Sequence, residues 1–430
     1  MTDTQLTILL VPLVAVVAPL LAALVRRAIV VPLVVFEIAL GMLIGPSGLG
    51  WVQESPMLDG LSQLGLAALF FMAGNEIDPS SLRGSPGRRA LGWWGLSAVL
   101  ALAAGLALGD DPAAGVIIAV ALTGTALGTI MPMLRDAGLT RTALGRTIAT
   151  AGAIGEFAPL VAISVFLSGR QPLAGTIVLV LFAAVAAVAF WLASHGPHHW
   201  LRRMVTLTLH TSGQFAVRFV LLLLAALVTL AMALGVDFLL GAFTAGLLAR
   251  VVLHGGDPEE QRMIEAKLDS VAFGFLVPVF FVATGVGFPL AALLADPATL
   301  ALVPVFAVVM LLVRGLPGWC SAGAGSPPRD RRTVALFTAT TLPLVIAVTG
   351  IGVDAHVLDE KTAAAMVGAA MLTVLLFPML ALVGRGGGAG SRGAADPEPD
   401  AAAGPGGSPA ESAGDSAADS AGAFPEEAHE

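Results

Sequence analysis

Long apolar stretches, separated by short segments that contain polar residues, glycine or proline, fill the chain from residue 6 to residue 383. A helix needs about 20 apolar residues to cross the hydrocarbon core of a bilayer. On that template the pattern predicts thirteen spanning helices, numbered here as spans 1 to 13: 6–25, 28–44, 61–77, 90–108, 113–134, 145–168, 172–193, 214–234, 237–252, 270–288, 298–318, 332–350 and 361–383. The chain is therefore predicted to be an all-α, polytopic membrane protein.

Composition excludes a water-soluble domain. Of the 430 residues, 57% are hydrophobic and only 12% are charged, whereas soluble domains average about 25% charged residues. The single cysteine, Cys320, allows no intramolecular disulfide and argues against a cysteine-based metal site. The residues before span 1 lack the positive charge of a cleavable signal peptide, so span 1 is predicted to be retained. Residues 384–430 are rich in Gly, Ala, Ser, Pro and acids, and this composition predicts a disordered tail.

The positions of lysine and arginine predict the orientation. Loops that follow even-numbered spans hold only Arg170 and Lys361. Loops that follow odd-numbered spans hold Arg26, Arg27, Arg83, Arg88, Arg89, Arg135, Arg141, Arg146, Arg202, Arg203, Arg250, Arg262, Lys267, Arg329, Arg331 and Arg332. Because cytoplasmic loops carry the excess of positive charge, the N-terminus is predicted to lie outside the cell and the C-terminal tail inside it.

Three pairs of similar segments indicate an internal repeat. The pairs are 36–45 with 241–250, 70–79 with 280–289, and 123–128 with 338–343. They relate span 2 to span 9, span 3 to span 10 and span 5 to span 12. Each pair is separated by an odd number of spans, so the two halves run in opposite directions through the membrane. The sequence therefore predicts inverted repeats at about 6–168 and 214–383, joined by a linker helix at 172–193.

Matching helix breaks in spans 5 and 12 predict a polar site near the midplane. The spans carry the sequences Thr123–Thr125 and Thr338–Thr340, each beside helix-breaking glycine or proline. Breaks at membrane depth are tolerated where the freed backbone lines a polar cavity. Threonine and glycine also occur at ordinary packed helix contacts, which is the alternative interpretation. Two breaks at corresponding positions favour crossed broken helices at a substrate site.

Glu156 is the principal candidate for the ion site. It lies halfway along span 6, beside Gly155 and at the depth of the span 5 break. Burial disfavours a bare carboxylate, so this group would hold either a proton or a monovalent cation that also binds Thr123, Thr125 and freed carbonyls. A site that binds either the proton or the cation, but not both at once, is the least that antiport requires. The alternative is a buried acid that is paired for structural reasons.

Three other places in the spans carry candidate accessory residues. Glu37 in span 2 is either a second proton site or the partner in a packing hydrogen bond. Glu76, with Asn75 and Asp78, either takes part in transport or ends span 3 at the cytoplasmic surface. Arg314, late in span 11, either extends its charge to the interface or acts as a counter-charge in the region of the broken helices.

Residues 30–50, VVPLVVFEIALGMLIGPSGLG, resemble the monovalent cation:proton antiporter-2 family, the Kef-type branch of the Na+/H+ exchanger superfamily. The segments FFMAGNEID, TALGTIMPMLRDAGL, GAFTAGLLAR and FFVATGVG match that family in order and spacing, so the resemblance covers about residues 6–383. It implies a thirteen-helix, usually dimeric protein with an ion-transport core domain and a dimerisation domain. It also implies that spans 5 and 12 are the crossed broken helices.

The resemblance further implies roles for two residues. The ion-binding acid of span 6 falls on Glu156, and the basic residue of span 11 falls on Arg314. This chain departs from the family pattern in span 6, because Glu replaces Asp and Gly155 stands where an acid or amide is common. It departs also in span 12, where residues 340–347 read TTLPLVIA and many relatives carry Gly-Glu-Phe. The loss of a second titratable group implies an electroneutral exchange of one proton.

The predicted function is exchange of Na+ or K+ for H+ by alternating access, in the inner cell membrane, by a homodimer. No cofactor and no nucleic-acid partner are predicted. A channel-like potassium efflux protein, a sodium-coupled solute symporter and a transport-inactive membrane scaffold or sensor remain alternatives. An enzyme is not predicted, because the spans contain no GxSxG, HExxH or comparable catalytic motif.

Overall fold

The computed structural model describes residues 3–25, 31–77, 84–166, 172–195, 214–253, 258–323 and 325–383. Every regular element in these ranges is helical, as predicted. The α-helices are α1 (Asp3–Val25), α2 (Leu33–Ile44), α3 (Pro56–Glu76), α4 (Ser85–Leu108), α5 (Pro112–Leu122), α6 (Leu127–Asp136), α7 (Ala143–Phe166), α8 (Pro172–His195), α9 (Phe215–Leu234), α10 (Phe238–Leu253), α11 (Pro258–Val271), α12 (Val277–Val286), α13 (Leu290–Ala295), α14 (Pro297–Met310), α15 (Leu316–Ser321), α16 (Pro328–Thr338), α17 (Pro343–Asp354) and α18 (Glu360–Leu382). Two π-helical turns, Ala272–Leu276 and Leu311–Gly315, join α11 to α12 and α14 to α15.

The thirteen predicted spans are confirmed in the described residues. Eleven helices or joined helices are long and apolar enough to cross a membrane, and the shorter apolar helices Leu33–Ile44 and Phe238–Val252 supply spans 2 and 9. Helices α1 and α8 expose large apolar side chains, among them Leu24 and Leu173. Such surfaces suit contact with lipid. The chain is a multi-pass membrane protein.

The spans pack as two bundles. Spans 1–3 and 8–10 form the first, called here the scaffold bundle, and spans 4–6 and 11–13 form the second, called here the core bundle. Helix α8, which is span 7, packs on α7 and α10 and so contacts both. Glycines bring the scaffold helices close together, since Gly74 lies against the backbone of Phe243 and Gly246 against that of Phe71. A side chain at either glycine would collide with the neighbouring backbone.

Spans 5 and 12 are each interrupted in the middle. The interruption covers residues 123–126 in span 5 and residues 339–342 in span 12. The two interruptions cross, because the backbone N–H of Ala126 donates a hydrogen bond to the carbonyl of Thr340 at 2.9 Å. Helix α17 then begins at Pro343, a position where the missing N–H of proline is tolerated. The prediction of crossed broken helices in two inverted repeats is confirmed.

Two features of the fold were not predicted. Residues 253–269 fall in a predicted loop, but α11 occupies most of that segment as a charged helix with Glu259 and Glu260 in its first turn. The two π-helical turns interrupt spans 10 and 11. Such turns are frequent at functional sites, and the second one contains Arg314.

Several sequence predictions concern residues outside the described ranges. These are the tail at 384–430, the acid Asp78, and the loop residues Arg26, Arg27, Arg83, Arg170, Arg202 and Arg203. What the sequence predicts for them stays a prediction.

Candidate functional site

The carboxylate of Glu156 lies at the beginning of the second half of span 5. It accepts a hydrogen bond from the backbone N–H of Leu127 at 2.9 Å, and the N–H of Gly128 also faces it. The first N–H groups of a helix have no intrahelical partner, and the helix dipole makes this end positive. Because Glu156 is only 2% exposed, α6 supplies its main polar environment in place of water.

Small residues on α7 allow this close approach. The carbonyl of Gly155 accepts a hydrogen bond from the backbone N–H of Thr125 at 3.0 Å. A Cβ added at Gly155 would lie 2.7 Å from the Thr125 hydroxyl oxygen, and one added at Gly152 would lie 2.9 Å from the Leu127 side chain. The α7 helix therefore packs directly on the interruption of span 5, and this packing sets the position of Glu156.

The side-chain hydroxyl of Thr125 connects span 5 with spans 11 and 12 through hydrogen bonds. Its hydroxyl donates to the carbonyl of Thr338 at 2.6 Å, and the same oxygen accepts hydrogen bonds from two nitrogens of Arg314. The Thr125 hydroxyl is therefore fully used within the protein in this state. Thr123 differs, because its hydroxyl donates to the carbonyl of Val120 at 2.7 Å, and none of the residues that the structure describes donates a hydrogen bond to its oxygen, which can still accept one.

Arg314 does not extend to the interface; its side chain turns into the core bundle and is 4% exposed. Its Nη2 and Nε atoms lie 2.6 and 3.1 Å from the Thr125 hydroxyl oxygen. Longer contacts join Nη1 to the Ser97 hydroxyl at 3.3 Å and Nη2 to the Ala151 carbonyl at 3.4 Å. A side chain at Gly155 would collide with Nη2, so the guanidinium occupies the space that a larger residue would need.

The two threonines of span 12 contribute mainly through their backbone. The carbonyls of Thr338 and Thr340 accept the cross-span bonds from Thr125 and Ala126. Their hydroxyls donate back into α16, to Val334 at 2.8 Å and Leu336 at 2.9 Å respectively. The Thr-x-Thr pattern thus marks the point where the two spans cross. The backbone carbonyls of span 12, rather than its hydroxyls, accept the hydrogen bonds that join the spans.

Glu76 connects the surface to the neighbourhood of Glu156. Its Oε1 forms an ion pair with Nη2 of Arg135 at 2.7 Å, and the Arg135 side chain is half exposed. Its Oε2 is buried and has no hydrogen-bond partner among the described residues, and the same holds for Oδ1 of the adjacent Asn75. Glu76 is also close enough to Glu156 for the two charges to interact. Of the accessory candidates, Glu76 is therefore the acid that the structure brings towards Glu156.

Glu37 belongs to the scaffold bundle. It is 3% exposed and lies in α2, whose Gly41 packs against the backbone of Val282 in α12. Helix α2 packs mainly on α1 and α12. The structure therefore does not bring Glu37 into the cluster around Glu156.

Sequence reasoning missed two participants in this site. Ser97 lies in an apolar stretch of span 4 and carries no charge or motif that marks it, yet it accepts a bond from Arg314. The backbone N–H groups of α6 that face Glu156 are also invisible as residue types. The signal that could have found them is the position of the helix restart at Leu127, directly after the interruption.

Several known proteins are similar to this chain over most of its length. The family model for the transmembrane sodium/hydrogen exchangers matches residues 13–382. The protein YjbQ of Bacillus subtilis is 28% identical over 381 residues, which cover 82% of this chain and 59% of YjbQ. The Na+/H+-K+ antiporter GerN of Bacillus cereus is 25% identical over 359 residues, which cover 81% of this chain and 88% of GerN. Cation/H+ antiporter 18 of Arabidopsis thaliana is 27% identical, and the match covers 80% of this chain and 45% of the plant protein.

The chain thus spans less than two thirds of YjbQ and under half of the plant relative. Among solved structures, that of the sodium proton antiporter MjNhaP1 from Methanocaldococcus jannaschii superimposes with a TM-score of 0.57 at 16% identity. The match covers 89% of this chain and 97% of MjNhaP1, and it supports the fold. The family match over residues 13–382, together with the crossed broken spans, shows that this chain belongs to the sodium/hydrogen exchanger family.

Proposed function

We propose that this protein exchanges a monovalent cation, Na+ or K+, for H+ by alternating access, with Glu156 as the shared binding group. The observation that carries the proposal is the buried Glu156 carboxylate at the N-terminal end of α6, beside two crossed broken spans. Charged groups inside a membrane are costly and usually mark ion pathways. The name of GerN, an Na+/H+-K+ antiporter, supports the same class of cargo.

Competition for one carboxylate explains the exchange. A buried carboxylate without a partner is disfavoured relative to its neutral form, so Glu156 takes up a proton whenever the cation leaves. A cation can replace that proton if oxygen ligands replace part of its hydration shell. The free lone pairs of Thr123 are suited to this role. Thr125 instead holds the crossing together, because its hydroxyl is already saturated.

Glu76 is proposed to deliver the cation. Its unpartnered Oε2 provides an oxygen ligand between the half-exposed Arg135 and Glu156. The positive-inside rule assigns this end of the molecule to the cytoplasm, because Arg135 and Arg250 both lie in it. The proposed location is the inner cell membrane, with the N-terminus outside.

Exchange is proposed to be electroneutral. Gly155 provides no second titratable group beside Glu156, and the Arg314 guanidinium fills the space where such a group would lie. One proton then leaves for each cation that binds. We further propose that the protein belongs to the Kef-type branch, acts as a homodimer in the lipid bilayer, and has no enzymatic activity.

Proteoliposomes that contain a pH-sensitive dye test this function. With a pH gradient imposed, addition of Na+, K+ or Li+ should dissipate the gradient for the wild type but not for Glu156→Gln, which keeps the size and the hydrogen-bonding oxygen. The exposed acid Glu360 provides a matched control, since Glu360→Gln should behave as the wild type. If wild-type protein responds to no cation over a wide pH range, antiport is wrong; if Glu156→Gln retains activity, the site is wrong.

A further inference from the structure

A narrow cleft lies on the side of Arg314 that faces α4, between α4, α7, α15 and α16. It measures about 230 Å³ including its open mouth, and its interior has room for a water-sized particle. Five of the residues that line it carry polar side-chain atoms: Trp93, Trp94, Arg314, Ser321 and Thr338. The lining contains no aspartate or glutamate.

Arg314 brings an uncompensated positive charge to this cleft. Among the described residues, no carboxylate oxygen lies within 4.0 Å of its guanidinium. The guanidinium has five N–H groups, and its contacts with Thr125, Ser97 and Ala151 use four of them. One N–H of Nη1 is left over. A buried charge surrounded only by neutral acceptors is costly unless an opposite charge approaches it.

Trp94 supplies a second unused donor in the same cleft. Its indole Nε1–H is buried and has no hydrogen-bond partner among the described residues. An indole nitrogen can only donate, and a buried donor left unpaired is destabilising. Trp94 lies one turn before Ser97, whose hydroxyl contacts Arg314. Trp94 and Arg314, the two residues that carry these donors, both line one small space that has room for an acceptor.

We propose that this cleft binds a small inorganic anion, such as chloride, between the indole N–H of Trp94 and the free N–H of Arg314. The space is too small for a polyatomic headgroup to enter fully, and a water molecule would leave the charge of Arg314 uncompensated. The anion is a bound component rather than cargo, so the inference goes beyond the exchange of cations for protons. It also explains how an arginine remains buried in the core bundle while no acid pairs with it.

Anion-dependent thermal stability of the full chain in detergent tests the proposal. Unfolding is followed by circular dichroism while chloride or bromide replaces gluconate at constant Na+ concentration and ionic strength. The wild type should show a melting temperature that rises and saturates with halide. Trp94→Phe keeps the ring but removes the donor. Since a hydrogen bond to a charged group contributes at least about 1.5 kcal/mol, this variant should need at least about tenfold more halide for half of the effect.

Two further variants complete the test. Trp191→Phe, on an exposed face of α8, is the matched control and should respond as the wild type. Ala90→Val narrows the cleft and should weaken the halide effect even if Trp94→Phe proves unstable in gluconate.

The proposal is overturned if halide does not stabilise the wild type, or if Trp94→Phe and Ala90→Val both keep the wild-type halide dependence. It is also overturned if chloride has no effect while phosphatidylglycerol produces a Trp94-dependent shift, because a lipid phosphate would then be the occupant. None of these results depends on transport activity, so failure here leaves the proposed exchange untouched.

Discussion

Substituting alanine for Gly155 tests how the guanidinium of Arg314 is held beside the proposed ion site. The new Cβ would collide with Nη2 of Arg314 and would lie 2.7 Å from the hydroxyl oxygen and 3.0 Å from Cβ of Thr125. Thr125 cannot move away without breaking its bonds to Thr338 and to the carbonyl of Gly155 itself. Arg314 must therefore give up its two short contacts with Thr125.

The magnitude follows from those contacts. A hydrogen bond that involves a charged group contributes about 1.5–3 kcal/mol, and overpacking of a well-packed core costs about 1–3 kcal/mol. Partial relaxation of the long arginine side chain recovers some of this, so we expect Gly155→Ala to lower the free energy of unfolding by about 2–4 kcal/mol. Two other glycines serve as controls. A Cβ at Gly152 meets mainly the flexible end of Leu127, and one at Gly95 meets nothing within 4 Å.

The assay compares the melting temperatures of the three alanine variants with that of the wild type in detergent. Gly155→Ala should melt lowest, Gly152→Ala should lie between, and Gly95→Ala should equal or exceed the wild type, since alanine favours a helix over glycine by about 1 kcal/mol. Replacing Arg314 by alanine should remove the part of the Gly155→Ala penalty that comes from the collision with Nη2, because the two changes share that contact, while the close approach to Thr125 remains. The reasoning would be refuted if Gly155→Ala and Gly95→Ala had the same melting temperature. It would also be refuted if Gly155→Ala lowered the melting temperature equally with and without Arg314.

Three further predictions concern neighbouring side chains. Thr125→Val removes the acceptor of Arg314 and the donor to Thr338, and it should destabilise the protein by more than about 3 kcal/mol in the same melting assay. Thr123→Val breaks only one bond within its own helix, so it should melt within about 1 kcal/mol of the wild type but raise the KM for the cation in proteoliposomes; an unchanged KM would remove Thr123 from the site. Arg135→Gln removes the ion-pair partner of Glu76, whose side chain is only 7% exposed, so it should lower the free energy of unfolding by about 1–3 kcal/mol, yet lower the KM for the cation by freeing Glu76. An unchanged KM would show that the ion pair between Arg135 and Glu76 has no part in cation delivery.

Much of the fold could be predicted because membranes impose a simple rule on sequence. Every span must satisfy its own backbone and face lipid or other helices, so apolar stretches indicated all thirteen spans, of which eleven are long enough in the structure to cross a membrane and two, α2 and α10, are shorter. The paired interruptions could also be predicted, since threonine, glycine and proline occur at matching positions of spans 5 and 12. Helix α11 was not predicted because its charged residues make its mean hydropathy too low for a spanning helix.

The arrangement of side chains around Glu156 could be predicted only in part. Its depth in span 6 placed it level with the interruption at Thr125, but only the three-dimensional packing shows that the start of α6 faces it. The direction of Arg314 depends on the π-helical turn that contains it, and one extra residue in a turn leaves no reliable sequence signal. Glu37 looks equivalent to Glu156 by burial and residue type, yet the fold places it in the other bundle.

Proton release on cation binding tests the central claim most directly. Purified protein in weakly buffered detergent solution is titrated with Na+ or K+, and released protons are measured with a pH indicator while bound cation is measured in parallel. If Glu156 holds either a proton or a cation, the wild type and Glu360→Gln release one proton for each cation bound, as expected when a ligand must lose its proton, and Glu156→Gln releases none. Cation binding without proton release in the wild type, or unchanged release from Glu156→Gln, would contradict the account.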